Sequence, residues 1–395
     1  MVSKILTLNQ ISIKGLERLP RDKYEIASEF AHPDAILLRS HKLQAADIPD
    51  SVRCIARAGA GVNNVPVAEC TKRGIPVFNS PGANANAVKE LVAAALLLGS
   101  RGIKEGVNYV NTLGDIADEA ELNRTLEAQK KQFKGSELMG KTLGVVGLGA
   151  IGSLVAEMAL TFGMEVVGYD PALSVEAAWR LSSRVQKADA ISSLFARCDY
   201  ITLHLPVLDS TRGLVNAELL ANVRPGTCLV NFARQEIVDN EAIIEALDAG
   251  KLRKYIADFP APGLIGRDDV ILMPHIGAST DEAEDNCAIM AAEQLRDFLE
   301  NGNIRNSVNF PATQLEHVTG CRLAVTNENV PRVLTSILAI LAEANINVID
   351  MLNKSRDEIA YNLIDIESQP SEEALVSMEA LEGVISARLI GDCCS

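Results

Sequence analysis

The chain has 395 residues, 48% hydrophobic and 23% charged, a composition of folded globular domains that excludes wholesale disorder. At roughly 150 residues per domain the length makes about two to three domains, enough to bury cores without disulfides or metals. Lys and Arg number 37 against 52 Asp and Glu, a net charge of −15. That excludes a general nucleic-acid binder or a protein held to anionic membranes, which need basic surface. A small anionic ligand needs only a few local cations or amides.

The N-terminus, MVSKILTLNQIS, alternates like a strand and lacks the long apolar stretch of a signal peptide. Strand signals follow at Ile5–Leu8, Ala35–Leu38, Cys54–Ala56 and Pro76–Phe78, with helix spacing between them, as in Val67–Arg73. That rhythm predicts a parallel sheet with helices on both faces. Asn84–Leu98 reads as a long apolar helix. The most apolar run, Leu91–Gly99, is too short against the ~20 residues of a membrane-spanning helix. Gly114–Gly135 is polar and reads as an exposed helical excursion.

A second alternation predicts strands at Thr142–Val146, Glu165–Tyr169, Tyr200–Leu203, Cys228–Asn231, Tyr255–Ala257 and Val270–Met273. Helices fit between, among them Ile151–Phe162 and Asn240–Ala249, the latter closed by Gly250. Asp281–Glu300 reads as a helix stopped by the Asn301-Gly302-Asn303 turn. Ser307–Gly320 lacks periodicity, contains Pro311, and reads as a linker. Strands at Arg322–Val325, Asn347–Lys354, Ala360–Ile366 and Val384–Leu389, with helices Val330–Glu343 and Ser371–Leu381, then give a βαββαβ order, a small ferredoxin-like domain. The expected class is α/β: two doubly wound parallel-sheet domains, Rossmann-like or flavodoxin-like, plus this small domain. The first domain covers 1–98, completed by 284–310; the second covers 99–283; the third covers 320–395.

Cysteines stand at 54, 70, 198, 228, 287, 321, 393 and 394 with no CxxC pair. The expectation is reduced, buried thiols in a cytoplasmic protein, with Cys393 and Cys394 incidental and no metal site.

The strongest local signal is Gly144-Val-Val-Gly147-Leu-Gly149-Ala150-Ile151-Gly152 between a strand and an amphipathic helix. Gly147 permits a tight turn, Gly149 lets backbone approach a pyrophosphate, and Gly152 lets the helix pack on the strand. Asp170 ends the next strand, where a carboxylate accepts both ribose hydroxyls and repels a 2′-phosphate. That favours NAD over NADP. Open α/β sheets bind ligands outside the carboxyl ends of their strands. Those ends carry Gly147, Asp170, His204, Arg234, Asp258 and His275. Alcohol oxidation with NAD needs a base for the hydroxyl proton, and a His near neutrality suits it. His275, in Met273-Pro-His-Ile-Gly-Ala-Ser-Thr280, is the candidate. A 2-hydroxy acid needs a cation for its carboxylate, and Arg234, in Asn231-Phe-Ala-Arg234, suits that. His204, in Leu203-His-Leu-Pro206, is expected to line the cofactor cleft; His32, His41 and His317 look structural or exposed.

These motifs, GLGAIG, the Asp170 acid, HLP, NFAR…IVD and PHIGAST, in order over residues 1 to about 310, resemble the D-2-hydroxyacid dehydrogenase family. The tail resembles an ACT regulatory domain, with Asn329-Val330-Pro331 opening its first helix. The resemblance implies NAD contacts at Gly147, Gly149, Ala150, Ile151, Gly152 and Asp170. It adds His204, Leu205 and Pro206, then Phe232, Ala233 and Arg234, and Asp258, His275, Gly277 and Ala278. The pairing with an ACT tail implies oxidation of D-3-phosphoglycerate to 3-phosphohydroxypyruvate, the first step of serine synthesis. In such enzymes the first domain binds the substrate, the second binds NAD, and the cleft between them closes during turnover. Arg39, Ser40, Arg57, Gly59, Ala60, Gly61 and Asn84 carry over to the substrate site. Amides around Gly59–Gly61 would hold the carboxylate, and Arg39 and Arg57 would offer charge for carboxylate or phosphate. Asn327, Asn329 and Asn347 match positions that bind serine in regulated relatives. The resemblance also implies a homo-oligomer, dimer or tetramer, with Gly99–Gly135 as a dimer element and ACT domains pairing side by side.

Two departures stand out. The family's Glu partner of the catalytic His is missing: no Glu occurs between Glu245 and Glu282. Either Asp258, Asp268 or Asp269 substitutes, or His275 works without an orienting carboxylate. Asp258 is read as a cofactor-side residue and the partner stays unassigned. In the tail, Arg332 follows Pro331 where the family usually has Gly, and Asn327 stands where a His is common. The alternatives to the leading reading are a hydroxypyruvate or glyoxylate reductase and a non-catalytic NADH-sensing interaction protein.

Overall fold

A computed structural model describes residues 2–316 and 320–390. His317, Cys393 and Cys394 lie outside the described residues. The chain divides into two compact units, Met1–Asn84 with Asp281–Ser395, and Ala85–Thr280. Among the described residues no helix is long and apolar enough to cross a membrane.

The first unit opens with five parallel strands: β1 (Ser3–Leu8), β2 (Tyr24–Ala27), β3 (Ala35–Leu38), β4 (Cys54–Arg57) and β5 (Val77–Phe78). Their order is β2-β1-β3-β4-β5. All four β3 residues are buried, as parallel strands covered on both faces require. The sequence reading missed β2, an edge strand in which only Tyr24 is buried, so it carries no apolar run. Helix Asp281–Asn301 lays Ala288, Ala291, Ala292, Leu295 and Phe298 into this core, a helical three-and-four spacing.

The second unit is a seven-stranded sheet of β6 (Thr142–Val146), β7 (Glu165–Tyr169), β8 (Val185–Lys187), β9 (Tyr200–Leu203), β10 (Thr227–Asn231), β11 (Leu252–Ala257) and β12 (Val270–Leu272). Its order is β12-β11-β10-β9-β6-β7-β8, and every pairing is parallel. Order reverses between β6 and β9, the place where doubly wound sheets bind ligands. Only β8, a short edge strand with two exposed residues, lacked a sequence signal. Helix Ala85–Ser100 packs Val88, Val92 and Leu96 against this sheet. Gly250, at φ +67°, follows helix Asn240–Asp248 as expected. Helix Glu119–Gln129 buries no residue, the exposed helix expected within Gly114–Gly135; helix Ile103–Asn111, which precedes that stretch, buries none either.

The first unit ends in an antiparallel sheet, β13 (Cys321–Glu328), β14 (Val348–Arg356), β15 (Ile359–Ile366) and β16 (Val384–Ile390), in the order β14-β15-β13-β16. Helices Val333–Glu343 and Glu372–Glu379 complete βαββαβ. One face, with Leu323, Val325 and Ile364, packs on the helices through Ile337, Leu341 and Met378. The other face is also covered: Ala324, Tyr361, Leu363 and Ile390 share one apolar cluster with Phe78, Phe298 and Phe310. This corrects the reading of Ser307–Gly320 as a linker. Phe310 is 1% exposed, Ser307 bridges to Phe78, and Thr313 bridges to Ile304. Residues 307–316 have no periodicity because they are irregular, yet Phe310 and Leu315 join the apolar cluster.

Polar bonds tie the same junction. Arg322 and Asp365, each 1% exposed, form a bidentate pair at 2.6 and 2.8 Å. Arg322 Nη1 also donates to the carbonyls of Asn301 and Leu315. Tyr361 donates to the Gly302 carbonyl at 2.7 Å, and the Arg388 guanidinium lies 4.1 Å from the Phe298 ring centroid.

Candidate active site

In the second unit, β6 runs into the glycine turn. Gly147 has φ +91°, and a Cβ there would sit 2.5 Å from the His204 carbonyl oxygen. A Cβ on Gly152 would sit 1.9 Å from the Gly147 oxygen, whereas nothing lies within 4 Å of one on Gly149. Glycine is therefore imposed at two positions, and the third leaves open space over backbone. Ala150 and Ile151 begin helix Ala150–Thr161, whose N-cap Gly149 makes no side-chain bond. The first-turn amides are left for an anion. Asp170 accepts from the amides of Leu148 and Ala172, both at 2.9 Å, which fixes the acid beside a cavity of about 580 Å³ lined by Leu148, Tyr169, Pro171 and Leu173. Open cradle, aimed amides and fixed acid together fit the pyrophosphate and adenosine ribose of NAD.

His204 follows β9, and its amide donates to Val146 at 2.8 Å. Its Nε2 lies 3.0 Å from Thr202 Oγ1, while Nδ1 is buried without a partner among the described residues. Burial pushes its pKa down to about 3, so the ring is neutral at physiological pH and unsuited to proton transfer. Leu205 packs against the Gly147 turn. The Pro206 carbonyl accepts from Thr211.

Two adjacent loops carry Arg234 and His275. After β10, Asn231 is fully buried; its Oδ1 accepts from Ala233 N, and its Nδ2 donates to the Arg234 carbonyl at 3.0 Å. Phe232 and Ala233 are buried, and half-buried Arg234 donates Nη1 to the Ala233 carbonyl. After β11, Asp258 donates its amide to the Asn231 carbonyl. Its Oδ1 and Oδ2 accept from the amides of Ile276 and Gly277 at 2.8 and 2.7 Å. Exposed His275 is held at φ +57°, with Phe259 against its ring at 4.9 Å between centroids. Ala278 continues this loop.

Among the described residues no hydrogen bond or ion pair joins the His275 ring to a carboxylate. Asp269 is committed to Arg267, whose guanidinium holds its carboxyl below the usual range. Asp268 is exposed. Of the three aspartates, only Asp258 touches the His275 loop, through backbone. Neither the structural part of Asn231 nor that of Phe259 was read from sequence. NFAR and ADF name the residues, but no spacing shows which amides a side chain will reach.

The first unit gathers Arg39, Ser40, Arg57, Gly59, Ala60 and Gly61 at the carboxyl ends of β3 and β4. Arg57 Nε donates to the Arg39 carbonyl at 3.0 Å. A Cβ on Gly59 would lie 2.0 Å from Arg57 Nη1, so glycine is what lets the guanidinium lie there. Asn79 donates to the Ala60 carbonyl at 2.6 Å. Among the described residues the Ala60 and Gly61 amides donate to nothing, which leaves them for an anion. Arg39 is paired with Glu284 at 2.6 Å, a partner from a distant helix that the sequence did not reveal. Ser40 is exposed. Asn84 buries an Oδ1 without a partner among the described residues.

The three asparagines of the small domain are not brought together within one chain. Asn327 and Asn329 lie near the Ile359 end of β15; Asn347 precedes β14 at the Ile366 end, about 20 Å away along the strands. Asn327 is itself committed, donating to the Glu328 carbonyl and accepting from Asn362 at 2.7 Å. Asn329 donates to Asp357. Arg332 adopts φ +78°, the conformation in which glycine would carry no Cβ penalty.

The family model described as D-isomer specific 2-hydroxyacid dehydrogenase, NAD binding domain, matches residues 106–277. The chain is 34% identical over 366 residues to a D-3-phosphoglycerate dehydrogenase of Haemophilus influenzae, covering 89% of this chain and 84% of that one. It is 33% identical over 371 residues to the Escherichia coli K12 protein of the same name, covering 89% and 86%. A solved NAD+-bound 3-phosphoglycerate dehydrogenase of Entamoeba histolytica superposes with a TM-score of 0.61 at 28% identity, over 78% of this chain and 99% of that one. The chain belongs to the D-2-hydroxyacid dehydrogenase family, whose members are NAD-dependent oxidoreductases.

Proposed function

We propose that this enzyme oxidises D-3-phosphoglycerate to 3-phosphohydroxypyruvate, with His275 as general acid and base and Arg234 orienting the carboxylate and carbonyl. The observation that carries the substrate is the anion cradle of the first unit: Arg57 lying under Gly59, beside the undonated Ala60 and Gly61 amides. In a chain of net charge −15, attraction for a phosphorylated acid has to be local. The relatives' shared name supports the same substrate. Bound NAD supplies the hydride acceptor. Neutral His275 takes the hydroxyl proton during oxidation and returns it as imidazolium in reverse. The Arg234 guanidinium offers paired donors to a carboxylate.

The βαββαβ domain supports control by L-serine. Because Asn347 lies at the far end of the strands from Asn327 and Asn329, one serine touching all three requires a second copy, so the reading includes a homo-oligomer. Cys54, Cys70, Cys198, Cys228 and Cys287 are free and buried, but Cys321 is disulfide-bonded, which corrects the expectation of reduced thiols throughout and takes away the cysteines' support for a reducing setting. The test is NADH formation from NAD and D-3-phosphoglycerate, with and without L-serine. Turnover that serine lowers is expected. Turnover confined to reduction of glyoxylate or hydroxypyruvate replaces the substrate, and NADH binding without turnover replaces the enzyme. Serine titrating without heat or effect removes the regulation.

A further inference from the structure

We propose that Asp258 is the residue that positions His275, acting through backbone in place of a carboxylate on the imidazole. Three observations converge. Both Asp258 oxygens are spent on consecutive amides, Ile276 and Gly277, immediately after His275. Asp258 is 2% exposed and is itself placed by the Asn231 carbonyl, so the clamp is anchored to the loop that carries Arg234. His275 is held at φ +57°, a conformation costly for a residue with a Cβ. Something must hold it there, and two charge-assisted bonds in a buried setting can.

The imidazole is then steadied from its flank by the Phe259 ring rather than through Nδ1 or Nε2. Gly277 belongs to the same device: a Cβ there would meet Asp258 Oδ2 at 3.0 Å. Asn231 bonds both the Arg234 loop and Asp258, so one buried polar frame sets both loops. Asp258 is thus a positioning residue, and no proton passes to it.

The inference rests on His275 as acid and base, and its test separates the two. Asp258→Asn keeps the size and one acceptor but loses the second. Expected are a kcat about 10-fold to 100-fold lower at every pH, an acidic limb of the pH profile that does not move, and backbone exchange at 274–280 accelerated at least about tenfold. Exchange is read on the free protein and needs no activity. An acidic limb moved by a unit or more overturns the inference, because the carboxylate would then act on the imidazole itself. Unchanged exchange at 274–280 also overturns it. His275→Ala that keeps full turnover sinks the catalytic reading, while accelerated exchange in Asp258→Asn would still show the clamp. Asp258→Glu, longer by a methylene, is expected to restore neither kcat nor exchange, and its full activity argues against a fixed clamp.

Discussion

Asp365→Ala tests whether the small antiparallel sheet is part of the first unit. Arg322 makes two bonds to Asp365 and two to the carbonyls of Asn301 and Leu315, and both charges are 1% exposed. Removing the carboxylate strands a buried guanidinium, which costs about 3–5 kcal/mol. Replacing both partners by apolar residues, Arg322→Met with Asp365→Leu, removes both charges of the pair and costs about 1–2 kcal/mol, mainly from the two carbonyls that lose a donor. The assay is native-state hydrogen exchange in rising urea, followed at β15 and at β1 and β3. If the cluster joining Tyr361 and Leu363 to Phe78, Phe298 and Phe310 acts as one core, Asp365→Ala lowers protection at both sites together. Loss confined to β13–β16, with β1 and β3 unchanged, refutes the shared core. A double variant as unstable as Asp365→Ala refutes the stranded charge.

Three further outcomes follow from local geometry. Arg332→Gly relieves a left-handed φ of +78° and is expected to stabilise the first unit by about 1 kcal/mol, read as a higher unfolding midpoint; a lower one denies the strain. For His204, the pKa falls from 6.5 unfolded to about 3 folded. The unfolded chain therefore binds more protons between those values, and stability present above pH 6.5 is lost as pH falls. At pH 5 His204→Asn removes about 2 kcal/mol of that loss, seen as a shallower acid limb of unfolding for the second unit; identical limbs contradict it. Gly152→Ala drives a Cβ to 1.9 Å from the Gly147 oxygen and is expected to weaken NADH binding at least about tenfold. Trp179, the single tryptophan, sits next to Ala178 of the adenosine-side cavity and can report that binding by energy transfer.

Long runs made the fold legible. β6, β7, β9 and β10 announce themselves because buried parallel strands are continuous apolar stretches, and the Gly147–Gly152 turn because glycine is forced where a Cβ would meet backbone. Edge strands β2 and β8 were silent because only one residue of β2 and none of β8 is buried. The junction of Phe310 with the small sheet was silent for another reason: an alternating β15 shows that two faces exist, not what covers the second. The sequence names Arg234 and His275 as candidates, and the structure sets them on adjacent loops after β10 and β12. Their supports were not legible, since Asp258 acts through amides, which carry no residue identity, and Arg39 meets Glu284 from 245 positions away in the chain.

Recognition of a phosphorylated D-2-hydroxy acid is tested by kcat/KM for D-3-phosphoglycerate against D-glycerate under identical NAD and salt. With half-buried Arg57 as the phosphate's cation, the phosphorylated acid gains a charge-assisted pairing that D-glycerate lacks. The expected ratio is about 10⁴ in favour of the phosphorylated acid. In Arg57→Ala it falls at least about tenfold. A ratio near one in the wild-type enzyme shows that the phosphate is not recognised.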